Sequence, residues 1–213
     1  MRSAFREQIG ALGTGLAGLC DLSGRAMQHA THALLNADLT VAEEVLGRHD
    51  ELTYRCAQVE TDAFTILALQ APVAGDLRAV LSALKNVADA ERMGVLALHV
   101  AQIARRRHPC PAVPDEVSGH VADMGRIAAR IGNDITQVVL TNDSDKAAQL
   151  ALDDEAMDDL HRHLFTVVMN PEWPHGTAAA VDITLLSRYF ERFADHAVDI
   201  AGRVIYQSTG AHA

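Results

Sequence analysis

The sequence predicts an all-α fold, two repeated three-helix bundles with six long helices in all, and three observations carry that prediction. All six prolines fall in three short stretches: Pro72, then Pro109, Pro111 and Pro114, then Pro171 and Pro174. Proline costs about 3 kcal/mol in a helix interior, so the long proline-free intervals are helical territory. Apolar residues recur at alternating spacings of four and three, and no period-two alternation runs for the length of a strand. The chain also repeats itself. Asp38-x-x-x-Ala42-x-x-Val45 returns as Asp143-x-x-x-Ala147-x-x-Leu150, and Glu91-Arg92-Met93-Gly94-x-x-Ala97 returns as Glu191-Arg192-Phe193-Ala194-x-x-Ala197.

The first helix is expected over about 3–35, where Ile9, Leu12, Leu16 and Leu19 make an apolar seam through a cluster of glycines, Gly10, Gly13, Gly15 and Gly18. Those glycines read as close helix packing or local weakening rather than as a binding loop. Asn36-Ala37-Asp38 offers capping oxygens for a second helix over about 39–69, whose seam is Leu52, Cys56, Val59, Ala63 and Ile66. After Pro72 a third helix runs over about 73–107 and closes on Arg105-Arg106-Arg107, cations that complement its C-terminal dipole. The prolines of 108–115 form a stiff connector between bundles 1–108 and 115–213. A fourth helix, about 115–140, has the cleanest heptad seam: Val117, Val121, Met124, Ala128, Ile131, Ile135 and Val138. Thr141-Asn142-Asp143-Ser144-Asp145 offers capping oxygens for a fifth over about 143–169, and the sixth, about 176–207, carries Leu186, Phe190, Phe193, Ala197, Ile200 and Val204.

Composition narrows the function. Eighteen Lys+Arg against 28 Asp+Glu leave a net charge of −10, which opposes nucleic-acid binding. The uncharged windows Ile9 to Cys20 and Met93 to Ala104 are twelve residues each, short of the ~20 that span a bilayer. No membrane insertion and a cytoplasmic location are expected. Cys20, Cys56 and Cys110 are widely spaced, with no disulfide framework or zinc knuckle; Cys20 and Cys56 read as buried small hydrophobes. No phosphate-cradling glycine loop or nucleophile elbow occurs. The one Glu-x-x-His, Glu172 to His175, contains Pro174 and cannot serve a di-iron bundle. No catalytic residue, no required cofactor and no enzyme activity are therefore expected.

The repeated Glu-Arg-(apolar)-small-x-x-Ala helices, together with Leu67-Ala68-Leu69-Gln70-Ala71-Pro72-Val73-Ala74-Gly75-Asp76-Leu77-Arg78, resemble the PhoU family of phosphate-signalling regulators over nearly the whole chain. The resemblance implies a non-enzymatic negative regulator that couples a phosphate ABC transporter, through its ATPase subunit, to a sensor histidine kinase, and that is a homodimer. It also implies an acidic Glu/Asp-x-x-x-Asp motif in each repeat that holds surface metal ions. The second copy is Glu191-x-x-x-Asp195, extended by Asp199; in the first, Val95 and His99 take the matching places and leave Glu91 with Asp89. Glu191, Asp195, Asp199, Glu91 and Asp89 are thus the expected metal residues.

On a helical wheel with Phe190 at zero, Glu191, Asp195 and Asp199 fall at about 100°, 140° and 180°, away from an apolar seam near about 310°. One stripe supplies too few oxygens for a hard cation, so a site needs a second helix, such as the one carrying Asp153, Asp154, Asp158 and Asp159. The alternative is a solvated acidic face neutralised by Arg188 and Arg192. Both stay open, with Mg, Mn, Fe and Zn unresolved. A metal-dependent enzyme or metal-storage bundle built on the stripe is the competing function.

Overall fold

The computed structural model describes residues 2–209 and is helical throughout, apart from short connections. The elements are α1 (Arg2–Asn36), α2 (Leu39–Gly47), α3 (His49–Gln70), α4 (Ala74–Arg107), α5 (Asp115–Thr141), α6 (Ser144–Val168) and α7 (Gly176–Thr209). The expected boundaries hold closely, and the expected caps form. Asp38 accepts from the Val41 amide at 3.1 Å, and Asp143 accepts from the Asp145 and Lys146 amides at 3.0 and 3.1 Å. The expected second helix is interrupted at Arg48, whose φ of −89° and ψ of 1° turn its amide onto Val45. Gly47, a weak helix former, directly precedes the break.

α1, α4, α5 and α7 form the middle of the molecule. α2 and α3 cover α1 and α4, while α6 covers α5 and α7. Both inner pairs, α1 with α5 and α4 with α7, run antiparallel: Gly24 meets Gly132 while Thr31 meets Gly125, and Asp89 meets His196 while Arg107 meets Asp182. The two bundles therefore bury one continuous core rather than two separate ones. It is aliphatic, with Phe190 and Phe193 its large aromatic members, and small residues let the helices close up. A Cβ built on Gly24 would lie 3.0 Å from the Gly132 Cα, and one on Gly132 would lie 2.7 Å from the Gly24 Cα. Within the glycine cluster of α1, Gly15 packs on Val59, whereas Gly10, Gly13 and Gly18 face open space.

The connector is tied down at both ends. His108 Nδ1 bonds the Ala37 carbonyl at 3.0 Å, Ala112 and Val113 are buried, and Arg106 and Arg107 both ion-pair with the buried Asp182. His175 reaches across to Glu116 at 3.1 Å, so the Glu172 to His175 segment is a turn. On the α5–α6 face, Arg130 grips Asp153 through both oxygens, at 2.7 and 2.8 Å. Asp153 is buried, and the Gln149 amide at 3.4 Å is its remaining polar neighbour. Arg130→Ala should therefore cost about 3 kcal/mol in urea unfolding, the range for a buried carboxylate that loses its partner; a loss below 0.5 kcal/mol would mean that solvent reaches Asp153.

Among the described residues, no helix is long and apolar enough to cross a membrane. Cys20 and Cys56 are buried, and burial pushes both thiols up to about 12.

Candidate functional site

α7 presents Glu191, Asp195 and Asp199 one turn apart because it stays helical through the whole stretch, with Phe190, Phe193 and Ala197 anchoring its opposite face in the core. The neighbouring α6 brings Asp154 and Asp158 to the same seam. Burial and the charges of Asp195, Asp158 and Asp199 raise the Asp154 carboxyl to about 6. Glu191 is buried and also raised, first by burial and then by Asp195.

Arginines neutralise only part of this charge. Arg188 bonds one oxygen of Glu191, and Arg192 bonds Asp195 at 2.7 Å. Glu191 Oε2 and Asp154 Oδ1 remain buried with no hydrogen-bond partner. The unpaired Asp154 oxygen, among the carboxylates of Asp158, Asp195 and Asp199, is a donor that a cation would relieve. Glu191 lies two turns, about 12 Å, along α7 from Asp199 and could not share one ion with it. Asp153 and Asp159 are not part of the seam: Asp153 turns to Arg130, and Asp159 pairs with Arg162 at 2.9 Å on the surface.

The other two expected residues part company. Asp89, on α4, meets α7 at the junction of the bundles, where it accepts from His196 Nδ1 at 2.8 Å and ion-pairs with Arg203. Arg203 in turn donates to the buried Asn86 at 2.6 Å. Asp89, His196 and Asp199 each offer a ligand atom, all within 4.8 Å of one another. Glu91 instead lies on the α3 side, where its charge helps raise the Cys56 thiol. Val95 and His99 supply no carboxylate there; His99 packs against Tyr189 with ring centroids 5.0 Å apart. Burial, then Arg92, lowers the His99 pKa.

A second surface feature stands out at the α3–α4 turn. Leu69 and Val73 are 74% and 73% exposed, and Phe64, Leu77 and Leu81 on the flanking helices are exposed as well. Ala71 and Ala74 adopt the left-handed conformation there, with φ of 44° and 49°. At the opposite end of the molecule, the α6–α7 connection exposes Phe165, Met169, Val181 and Leu185.

A family model described as the PhoU domain matches residues 16–104 and again 121–204. Among curated proteins, the chain is 60% identical over 211 residues to the phosphate-specific transport system accessory protein PhoU homolog 2 of Mycobacterium bovis, covering 99% of each chain. It is 56% identical over 211 residues to PhoU homolog 1 of Mycobacterium leprae, covering 99% of this chain and 95% of that one. Among solved structures, it superimposes on the crystal structure of PhoU from Pseudomonas aeruginosa with a TM-score of 0.85 at 27% identity, over 97% of this chain and 100% of that one. The fold is also that of the phosphate transport system regulatory protein PhoU from Streptococcus pneumoniae, with a TM-score of 0.86 at 22% identity, over 98% and 99%.

Proposed function

Because the chain belongs to the PhoU family, we propose that it is an accessory regulator of phosphate transport that works by protein contact. It restrains phosphate uptake and the starvation response when phosphate is plentiful, by docking on the ATPase subunit of a phosphate ABC transporter and on a sensor histidine kinase in the cytoplasm. The observation that carries this reading is the exposure of Leu69, Val73 and Leu77. They lie in the most distinctive segment of the sequence, yet they do not serve the core, and large apolar side chains exposed together at one turn are what partner proteins cover. Deleting the gene should turn on phosphate-starvation genes in phosphate-rich medium. The wild-type gene should restore repression, and a folded Leu69→Ser/Val73→Ser variant should not. Unchanged expression in a strain lacking every related gene would refute the regulatory role, and full complementation by the variant would refute the surface.

We also propose that the α6–α7 seam holds a divalent cation, through Asp154 with Asp158, Asp195 and Asp199 around it. The support is the buried, unpartnered Asp154 oxygen within reach of three further carboxylates. Bound there, the ion would supply positive charge that ties the two helices together.

A further inference from the structure

We propose that His120 on α5 and His163 on α6 form a two-imidazole site for a borderline transition-metal ion such as Ni2+, Cu2+ or Zn2+, which clasps these helices together independently of the acidic seam. α5 and α6 run antiparallel with Arg130 opposite Asp153, and the same register sets His120 opposite His163. The ring centroids lie 4.5 Å apart, with 34° between the planes. That tilt is neither a parallel stack nor an edge-on contact. The separation is one that a shared ion sets: with metal–nitrogen bonds of about 2.0–2.1 Å meeting at about 90–110°, two imidazole centroids fall about 4.5–5.2 Å apart.

Hydrogen bonding points the same way. His120 Nδ1 is buried with no hydrogen-bond partner. His108, His161, His175 and His196 each have one. A buried nitrogen of this kind has given up water without replacement, and a metal ion supplies the missing contact. His163 is exposed, so its ring is free to turn a nitrogen to the ion, and water completes the coordination. The carboxylates nearest along the two helices are already engaged: Asp159 by Arg162, Asp123 by Arg126 and Glu116 by His175. The imidazoles are thus the donors left, and nitrogen donors favour Ni2+, Cu2+ and Zn2+ over hard Mg2+. His163 lies about 180° around α6 and about 14 Å along it from Asp154, so the pair shares no ion with the seam. The ion would steady the end of α6 that exposes Phe165.

The test uses the metal-stripped full chain carrying Asp154→Asn/Asp195→Asn, which silences the seam, titrated with Ni2+ and, separately, with Mg2+. Adding either His120→Ala or His163→Ala should weaken the tightest Ni2+ equivalent about tenfold or more and leave the response to Mg2+ within about twofold. No Ni2+ binding before these changes, or binding unchanged by His163→Ala, overturns the site. A loss in His163→Ala that a folded His120→Ala does not share also overturns it, since one histidine then holds the ion. If His120→Ala does not fold, the electron paramagnetic resonance spectrum of one equivalent of Cu2+ on the seam-silenced chain decides: coupling to two nitrogens supports the pair, and coupling to one or none overturns it.

Discussion

Urea unfolding of a Gly132→Val variant should show a loss of about 3 kcal/mol, the upper end of what overpacking costs in a closed interior. The new Cβ would meet the Gly24 Cα at 2.7 Å, and backbone, unlike a side-chain tip, cannot swing aside. Valine gains little in return, since its branched side chain is a modest helix former. Gly202→Ala is the matched control. It too lies within a long helix, but nothing approaches within 4 Å of its Cβ position, so alanine there should add about 0.5–1 kcal/mol. Equal midpoints for Gly132→Val and wild type would mean that α1 and α5 can separate without cost.

The second large effect concerns charge. Asp154 is raised from 3.8 to about 6, so between those values the folded state holds a proton that the unfolded state has released. Stability of the metal-free protein should therefore fall as pH rises through that window, and the full penalty is present above about pH 6. Asp154→Asn should reduce the slope, Glu191 keeping its own part, and raise stability at pH 7.5 by on the order of 1 kcal/mol, allowing for the solvent that screens a partly exposed group. A divalent cation reverses the ranking. At one hundred times its dissociation constant, a bound ion adds about 2.7 kcal/mol to wild type, and the variant, short of a ligand, should gain much less. Thermal melts from pH 4 to 8, in chelator and in saturating metal, check both halves. The same pH dependence from 4 to 6 in chelator for wild type and Asp154→Asn would contradict a raised Asp154 carboxyl.

The helix boundaries were readable because proline and capping residues act locally: Pro72, Pro114, Asp38 and Asp143 each mark their break through their own backbone or side chain. The interruption at Arg48 was not, since Leu52 and Cys56 keep the apolar spacing immediately beyond it. The acidic stripe on α7 was also readable, being a matter of spacing along one helix. His196 sits near about 240° on the same wheel, between the stripe and the seam, and its hydrogen bond to Asp89 depends on α4 arriving antiparallel. The crossing at Gly24 and Gly132 was hidden for a similar reason. Clustered glycines in α1 drew the eye, yet isolated ones make the closest approach, and only the docking of the other bundle reveals which.

The antiparallel pairing of α4 and α7 gives the molecule two poles. The exposed apolar turn after α3 lies at one, and the turn after α6 lies at the other. α4 alone has 34 residues, so the poles are about 50 Å apart at 1.5 Å per residue. One copy can thus touch two proteins at once and act as a rigid spacer between them. Two proteins held at a fixed separation of that order meet at an effective concentration far above their cellular one, so the spacer itself, without moving, could decide whether one can act on the other.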